Sequence, residues 1–507
     1  MTKEGYALIL FLVLFFHIYA NAQDKRDYIY LSGYVHGNDP SRTQGNIINF
    51  NYHRKIDSIT IGDILFGNNS AICDKDGKLL FYTGGCAIID STHKIMENGD
   101  SINYGESWIR FCEKGYGDYP GSQNSIILPD PGNENGYYLI HKTDELIKEP
   151  KVHFYGELRY SYVDMSLNND LGKVKKKNIA ILKDTNFVTS YMSACRHING
   201  KDWWIIQIKN FSNEYYKFLL NKEGIHFNHF QQIGPFFDDW TGIGQSAFSP
   251  DGSKWMMYGD INGSQPGQGG VLIYDFDRET GYLYNMRMIE TNDSAFASGV
   301  AFSPDSRFAY ISTGYDLYQA DLSKGNADIE IVHIDKWDGF RDFGFPVTIG
   351  AMQLAPDCRI YVAASQTVRH MGLINKPNEK GMACDFRQHS IEFPNLIGQN
   401  SITNYPHFRI DEAEICDPTI TSIFGDAVWY RRDMEVWPNP SSGVFNVELP
   451  DVGAGKIVVM NIEGQVVYER DVSNIIKDEH IDISGYPAGT YNVEFWPDRN
   501  TGSKSGD

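Results

Sequence analysis

Residues 246–258 read Ser246-Ala247-Phe248-Ser249-Pro250-Asp251-Gly252-Ser253-Lys254-Trp255-Met256-Met257-Tyr258, and this stretch decides the fold because it recurs. It places one short apolar strand before a turn with Asp and Gly, and a second apolar strand after the turn. Closely similar stretches occupy residues 299–310 and 351–362. With Asp251, Asp305 and Asp357 as markers of the turn, successive copies lie 54 and 52 residues apart.

Weaker copies of this hairpin continue upstream. Asn199-Gly200, Asn135-Gly136 and Asp76-Gly77 each precede a run of apolar residues. Asn-Gly and Asp-Gly suit hairpin turns because both residues accept a positive φ. Repeats of four short strands at steps of ~50 residues are typical of β-propeller blades. The sequence therefore predicts an all-β fold with a β-propeller over residues 23–410.

The number of blades depends on how the ends of the propeller are counted. Six repeats are clear, and the N-terminal strands at residues 28–33 and 46–51 lack a first strand of their own. Residues 402–410 can supply that strand, which gives a seventh, composite blade and closes the ring. Seven blades are favoured, while six or eight stay open. An array of β-sandwiches is the alternative fold, but it lacks the even spacing.

The N-terminus indicates export. An apolar run at residues 6–20 follows Lys3, and Ala20-Asn21-Ala22 is a small-x-small cleavage site that leaves Gln23 at the mature N-terminus. The run is shorter than the ~20 apolar residues of a membrane span, so a signal peptide over residues 1–22 is favoured over a transmembrane anchor. No transmembrane segment is expected in the mature chain.

The C-terminal 70 or so residues carry a second set of motifs. They begin Val436-Trp437-Pro438-Asn439-Pro440, continue as alternating strands, and end in Gly489-Thr490-Tyr491. This order resembles the type A sorting domain of the type IX secretion system of Bacteroidota. The resemblance implies a small Ig-like β-sandwich at residues 435–507, with the type IX secretion machinery as partner, and delivery to the cell surface or medium. The residues that carry the sorting motif are Pro438, Asn439, Pro440, Gly489 and Tyr491.

The repeats also resemble a family. Ser-x-Pro-Asp-Gly is the hairpin of WD40-like and Tol-B-type propellers, and residues 72–85, 374–384 and 393–395 are similar to propellers of exported Bacteroidota proteins. The resemblance implies an architecture and export, and no particular reaction. Residues 411–434, between the propeller and the sorting domain, are expected to be a linker.

Charge and cysteine content narrow the function further. The net charge of −20 argues against binding nucleic acid or an anionic membrane surface. Seven cysteines in an exported chain allow disulfides and leave an odd one unpaired. Spacing leaves the pairing open, and Cys358 with Cys384 is one candidate pair because both fall in one repeat.

Motifs for catalysis are mostly absent from the sequence. It has no Gly-x-Ser-x-Gly elbow, no His-Glu-x-x-His and no Walker loop. His226 and His229 are three apart on a predicted strand, so they face opposite sides and are poorly placed to share a metal. No cofactor and no metal site are therefore predicted, although metal ligands drawn from separate blades leave no linear motif.

The mouth of the central channel is the expected ligand surface. Amides and hydroxyls recur where the chain enters the innermost strands, and such groups suit neutral polar ligands such as sugars. Trp255 and Trp337 are further candidates for stacking. The same amides can instead satisfy strand-end backbone groups and ordered water. The candidate ligand-binding residues are Asn69, Gln123, Asn124, Trp240, Gln245 and Ser298.

Three functions stay open from the sequence. The first is an exported, non-catalytic protein that binds a glycan, a peptide or another surface protein. The second is an extracellular hydrolase or lyase with catalytic residues from different blades, for which the loop carboxylates Asp238, Asp239, Asp260 and Asp316 are candidates. The third is a structural or adhesion protein. Fold alone does not decide among them.

Overall fold

The structure is a computed structural model of the chain. It describes residues 23–35, 43–52, 54–65, 67–114, 117, 119–143, 145–147, 153–182, 185–188, 190–236, 244–260, 269–291, 299–324, 329–412, 415–417, 420, 435–448, 455–461, 465–472 and 478–497. The predicted signal peptide, with Ala20 and Ala22, lies outside the described residues. Within them, no helix has both the length and the apolar composition to cross a bilayer.

The chain divides into two compact units after Val428. The strands of the first unit, up to sheet 3 as defined below, are β1 (Ile29–Val35), β2 (Thr43–Asn49), β3 (Lys55–Thr60), β4 (Ser70–Cys73), β5 (Leu79–Thr83), β6 (Ile89–Asp90), β7 (Ser125–Pro129), β8 (Gly136–Lys142), β9 (Glu145–Ile147), β10 (His153–Tyr155), β11 (Leu158–Asp164) and β12 (Lys173–Ala180). Short helical turns occur at Phe50–Tyr52, Glu106–Trp108, Ile109–Glu113 and Gly381–Cys384.

The later strands of the first unit follow the same hairpin plan. They are β13 (Ser193–Arg196), β14 (Trp203–Ile208), β15 (Glu214–Asn221), β16 (Gly224–Gln232), β17 (Gln245–Phe248), β18 (Lys254–Asp260), β19 (Gly269–Phe276), β20 (Leu283–Glu290), β21 (Gly299–Phe302), β22 (Phe308–Ser312), β23 (Asp316–Asp321), β24 (Glu330–Lys336), β25 (Arg341–Asp342), β26 (Phe345–Pro346), β27 (Met352–Leu354), β28 (Ile360–Val362), β29 (Val368–Ile374) and β30 (Phe386–Ile397).

These strands form antiparallel sheets that follow one another along the chain, as a propeller requires. In the described part of the unit there are seven sheets of three or four strands: sheet 1 (β1-β2-β3), sheet 2 (β4-β5-β6), sheet 3 (β7-β8-β11-β12), sheet 4 (β13–β16), sheet 5 (β17–β20), sheet 6 (β21–β24) and sheet 7 (β27–β30). The all-β propeller class predicted from the sequence is confirmed. Seven sheets support seven blades, and the blade number itself stays a prediction.

The recurring Ser-x-Asp turn explains why each hairpin forms. In sheet 5, Ser249 Oγ donates to Asp251 Oδ1, and the same Asp oxygen accepts the backbone N–H of Ser253 at 2.9 Å. Gly252 follows at φ +70°, and a Cβ there would lie 2.9 Å from Cys195 Sγ of the preceding sheet. The turn therefore both reverses the chain and packs closely against the neighbouring sheet.

The first strands of successive sheets lie side by side around a centre. Ser70 Oγ on β4 donates to the carbonyl of Ser125 on β7 at 2.8 Å, and Ser246 Oγ on β17 donates to Ser193 Oγ on β13 at 2.9 Å. Between them, large apolar side chains fill the spaces from sheet to sheet, including the wholly buried Trp255. Hydrogen bonds at the centre and apolar packing between sheets hold the ring together.

Residues 400–408 pass through the centre of the ring, and here the structure differs from the sequence-based expectation. The sequence predicts that residues 402–410 supply the first strand of sheet 1, yet residues 401–407 form no strand and residues 408–410 form a turn. The segment lies against β1 through side chains instead, with Leu31 N–H donating to Thr403 Oγ1 at 3.2 Å and Tyr405 Oη donating to the Ile29 carbonyl. Side-chain hydrogen bonds thus take the place of a strand ladder.

The disulfides also differ from the expectation. Cys358 pairs with Cys416 and not with Cys384, and Cys86 pairs with Cys112. The candidate pair Cys358–Cys384 does not form: Cys384 is buried at the end of the helical turn between β29 and β30, whereas Cys358 occupies the hairpin turn that meets the returning C-terminal segment. Cys73, Cys195 and Cys384 are buried free thiols.

The second unit is a small sandwich. Its strands are β31 (Glu435–Trp437), β32 (Val444–Glu448), β33 (Gly455–Asn461), β34 (Val466–Val472), β35 (Asp478–Asp482) and β36 (Tyr491–Pro497). They form the sheets β31-β32-β35 and β34-β33-β36, and Phe445 and Ile481 of the first sheet share an apolar core with Ile457 and Val459 of the second. An Ig-like classification of this sandwich and the domain boundaries given above stay predictions.

Candidate functional site

The order of strands gives the propeller two distinct faces. In a four-stranded antiparallel sheet, the turns between strands one and two and between strands three and four lie at one end. The turn between strands two and three lies at the other end, together with the connection to the next sheet. We call the end where the innermost strands begin the entry face, and the opposite end, which holds the Ser-x-Asp turns, the latch face.

The latch face joins the two ends of the propeller chain. The guanidinium of Arg409 binds the carboxylate of Asp27 in a bidentate pair, and both side chains are almost wholly buried. Arg278, in the last turn of sheet 5, binds Asp411 in the same way at 2.7 and 2.6 Å. The Cys358–Cys416 disulfide adds a covalent link. The polar groups named here are thus satisfied by one another.

Two of the predicted ligand-binding amides are built into the ring wall. Asn69 is buried, and its Nδ2 donates to the Leu31 carbonyl at 2.7 Å. Asn124 is also buried, with Nδ2 donating to the Pro120 carbonyl at 3.0 Å and Oδ1 accepting the Ser190 N–H at 2.8 Å. Neither side chain lines the central cavity described below, and the geometry gives both a structural role.

The other two predicted amides, Gln123 and Gln245, do reach the centre of the entry face. Gln123 Oε1 accepts the Ser246 N–H at 2.8 Å, and its Nε2 donates to Asn404 Oδ1 at 3.2 Å. Gln245 Oε1 accepts the N–H groups of Val300 and Met352, at 3.1 and 2.9 Å. Each glutamine therefore links inner strands of separate sheets while one edge of it faces the central cavity.

That cavity opens at the entry face and holds about 400 Å³ of space not filled by protein atoms, part of it continuous with solvent. Five of its lining side chains are amides, and the rest of the lining is Gly, Ser, Ala and Ile. None of the lining residues in the described part of the chain is ionisable. The lining residues are Gly67, Ser122, Gln123, Gly244, Gln245, Ala351, Gln353, Asn400, Ile402 and Asn404.

Three of these amides were missed from the sequence. Asn400 precedes Ser401, so it repeats the amide-Ser pair of Asn124-Ser125 and Gln245-Ser246, and that signal was available. Asn404 donates from Nδ2 to the carbonyls of Ser125 and Met192, at 2.8 and 2.9 Å, so it spans the channel. Neither Asn404 nor Gln353 is followed by Ser, so only the path of the chain in three dimensions shows that they line the cavity.

Gln353 is held only weakly by the protein. Its Nε2 lies 3.4 Å from the Leu354 carbonyl and 3.5 Å from the Tyr405 carbonyl, and the side chain is only partly buried. These distances are at the long limit of a hydrogen bond. Asn400 is also only partly buried, and its Oδ1 accepts the Ala351 N–H at 3.3 Å. Gln353 and Asn400 are therefore the two amides of the cavity with the most capacity left for a ligand.

The remaining candidates are dispersed or undescribed. Trp240, Ser298, Asp238 and Asp239 lie outside the described residues, as does the side chain of Asp260. Asp316 Oδ1 lies 2.8 Å from His333 Nε2 and is not part of the cavity lining.

The stacking candidate Trp255 and the histidine His229, which the sequence does not favour as a metal ligand, both pack against other side chains of the propeller. Trp255 is wholly buried and donates from Nε1 to Ser193 Oγ at 2.9 Å, so it offers no stacking face. His229 stacks on Tyr282 with 4.5 Å between ring centroids. In the part of the chain that the structure describes, no group of three or more His, Cys, Asp or Glu side chains is placed to hold a metal.

A buried carboxylate supports a loop of the entry face. Asp63 is buried and its Oδ2 accepts the Gly84 N–H at 2.9 Å, beside the Cys86–Cys112 disulfide. Burial raises the pKa of Asp63 to about 7, although the backbone hydrogen bonds oppose the shift. A single carboxyl used for backbone hydrogen bonds gives no acid–base pair.

In the second unit, the motif residues lie at the surface. Pro438, Asn439 and Pro440 are exposed in the turn after β31, and Gly489 is exposed before β36. Tyr491 Oη donates to the Pro487 carbonyl at 2.6 Å and so fixes the start of β36.

Comparison with known families identifies this second unit. Residues 435–505 match the family described as the secretion system C-terminal sorting domain. The chain thus carries a sorting domain of the type IX secretion system and is exported to the cell surface or the extracellular space. No curated protein matches the sequence.

Solved structures resemble the chain only weakly. A Lactobacillus plantarum protein gives a TM-score of 0.41 at 11% identity, over 74% of this chain and 98% of its own. A putative 6-phosphogluconolactonase from Bacteroides fragilis gives 0.38 at 9%, over 74% and 97%. A functionally unknown protein from Desulfotomaculum acetoxidans gives 0.36 at 13%, over 74% and 99%. Similarities of this size carry no argument about what this chain does.

Proposed function

We propose that this protein is an exported, non-catalytic binding protein that recognises a neutral, hydroxyl- or amide-bearing ligand at the entry face of its propeller. One observation carries the proposal: among the residues that the structure describes, five amide side chains and no ionisable side chain surround the cavity at that face. An amide offers both donors and an acceptor, so it matches groups that also donate and accept, such as sugar hydroxyls or peptide units. Acid–base chemistry would need a titratable group in the same place.

The geometry also limits how a ligand enters. Residues 400–408 fill the channel below the cavity, and Asn404 crosses it through hydrogen bonds to the carbonyls of Ser125 and Met192. The space is narrow, so a ligand presents one polar end to the amides while the rest of it lies on the entry face. The sorting domain explains where this occurs, because it directs the chain to the secretion machinery and the cell exterior.

The test is a thermal-shift screen of the chain from residue 23 to residue 507 against neutral oligosaccharides and uncharged peptides. A ligand that binds only the folded state at a hundred times its Kd raises the unfolding free energy by ~2.7 kcal/mol. Gln353→Met removes one of the two least constrained amides and keeps a side chain of similar length. Gln232→Met is the matched control, since its Nε2 also makes a long hydrogen bond, 3.4 Å to Glu214, but it lies on the outermost strand of sheet 4.

The expected result is a stabilising ligand whose shift is lost in Gln353→Met and kept in Gln232→Met. A ligand whose shift survives both substitutions binds elsewhere and contradicts the proposed site. Turnover of the bound ligand would contradict the non-catalytic assignment.

A further inference from the structure

The hairpin between sheets 6 and 7 lies on the same face of the propeller as the cavity. It consists of β25 and β26, and it connects the outermost strand β24 to the innermost strand β27, so it belongs to the entry face. Residues 347–351 lead directly from this hairpin to the cavity wall at Ala351. Five residues span at most ~17 Å, so the end of the hairpin at Pro346 lies within that distance of Ala351.

The hairpin exposes large aromatic rings. Phe343 is 66% exposed and Phe345 is 52% exposed, and the neighbouring Tyr315 is 52% exposed. Tyr315 packs beside Trp337 with ring centroids 5.6 Å apart. Single exposed apolar residues are ordinary, whereas several rings together on one face indicate a binding surface.

The protein holds this hairpin in one position. Asp342 Oδ2 accepts a hydrogen bond from the backbone N–H of Arg369 at 2.7 Å. The same oxygen lies 3.2 Å from His370 Nδ1. His389 Nε2 lies 2.8 Å from Asp338 Oδ2, and its ring stacks on Phe340 with centroids 4.1 Å apart. A surface already fixed in position loses little conformational entropy on binding.

Two arginines shape the ring surfaces further. The Arg369 guanidinium lies over the Phe343 ring at 4.7 Å, and that of Arg341 lies over Trp337 at 5.6 Å. Arg341 also donates to the Gly344 carbonyl at 3.0 Å. Each of these two rings has an arginine on one face.

We infer that the hairpin and the cavity form one extended site, and that its ligand is a neutral oligosaccharide of several units. The inference rests on the proposed function and names the class of its ligand. A pyranose has hydroxyls at its edge, which pair with amides, and a flat C–H face, which packs on an aromatic ring. The backbone of an uncharged peptide can also pair with the amides, so such a peptide is the alternative that the test must exclude. The net charge of −20 disfavours polyanions.

The test is calorimetric titration of the chain from residue 23 to residue 507 with cellohexaose, laminarihexaose, mannohexaose and xylohexaose, and with the matching disaccharides. The hairpin variant is Phe343→Ala with Phe345→Ala. Its control is Tyr52→Ala, which removes a ring that is 67% exposed on the latch face. Because these rings are exposed, their loss leaves the melting temperature nearly unchanged.

The expected result is that one hexasaccharide binds, that its disaccharide binds more weakly, and that the hairpin variant weakens the hexasaccharide about threefold to tenfold per ring removed. Tyr52→Ala leaves the affinity unchanged. If Gln353→Met abolishes binding while the hairpin variant binds as before, the proposed function stands and this inference falls. Binding of none of the four sugars, or binding of an uncharged peptide that Gln353→Met abolishes, also overturns it.

Discussion

The two faces of the propeller differ in their polar side chains and in what those side chains do. At the latch face, charged side chains meet charged partners: Arg409 meets Asp27, and Arg278 meets Asp411, with little capacity left over. At the entry face, amides line an open cavity, and Gln353 reaches its nearest acceptors only at 3.4 and 3.5 Å. A polar residue near the axis is thus structural or available for a ligand according to how completely the protein already satisfies it.

The contrast makes the latch the more sensitive face for stability. Arg409→Leu leaves the Asp27 carboxylate buried without its partner, so we expect the unfolding free energy of the propeller to fall by about 3–5 kcal/mol. Denaturant unfolding followed by tryptophan fluorescence measures this. Lys173→Met, which breaks the half-exposed pair with Glu97, is the control and should cost no more than ~1 kcal/mol. A similar cost for both variants would remove the distinction between a buried latch and an ordinary surface.

The latch disulfide gives a second large effect. Cys358 and Cys416 enclose 58 residues, and their replacement by Ser is expected to lower the unfolding free energy by about 4 kcal/mol in the chain-entropy picture. Cys86 and Cys112 enclose 26 residues, so the same change there is expected to cost slightly less. Mass spectrometry of non-reduced peptides provides the check on connectivity. A Cys358–Cys384 cross-link in that experiment would show that the C-terminal segment is not fastened as described.

Lys217, on β15 of sheet 4, is buried and forms no ion pair with any residue that the structure describes. Its Nζ donates to the Tyr215 carbonyl at 3.3 Å, and burial lowers the pKa of Lys217 to about 7. The unfolded chain keeps this proton up to its ordinary pKa of 10.5, whereas the folded chain releases it above pH 7. Stability therefore rises with pH between these values, by about 1.4 kcal/mol per pH unit at most, and the penalty is complete below pH 7.

Lys217→Met tests whether this buried lysine causes the rise in stability with pH. We expect the variant to be more stable than the natural chain at pH 7 and to lose the rise in stability from pH 8 to pH 9. Melting temperatures measured across that range, with exposed Lys222→Met as the control, provide the comparison. An unchanged pH dependence in Lys217→Met would mean that another group titrates.

The repeats made the propeller predictable because each blade forms from local hairpins with a strong turn signal. The centre of the ring was harder to predict, because residues 400–408 lack any repeat and take their path from contacts with distant strands. Thr403 and Tyr405 satisfy β1 with side chains, which no strand pattern indicates. The pairing of Cys358 was not predicted for the same reason, since Cys416 meets Cys358 only after the chain has crossed the latch face.

The sequence predicted that amides form the candidate site, but it identified only some of the residues that line the cavity. The amide-Ser pairs pointed to Asn69, Asn124, Gln123 and Gln245, yet only the two glutamines line the cavity. The shorter asparagines end in the ring wall, where Asn69 Nδ2 reaches Leu31 and Asn124 Oδ1 accepts from Ser190. Residue type gave the chemistry, and position along the chain decided which amides face the opening, since the equally short Asn400 and Asn404 do line the cavity.

The most direct test of this account compares Gln245→Met and Gln353→Met in one experiment that records both melting temperature and ligand affinity. Gln245 accepts N–H groups from two neighbouring strands, so its loss should lower the unfolding free energy by about 1–3 kcal/mol through buried unpaired donors. Gln353→Met should leave the melting temperature within about a degree, since its hydrogen bonds are long, and should abolish binding. If Gln353→Met instead destabilises the fold as much as Gln245→Met and binds ligand normally, the amides of the entry face serve only the fold.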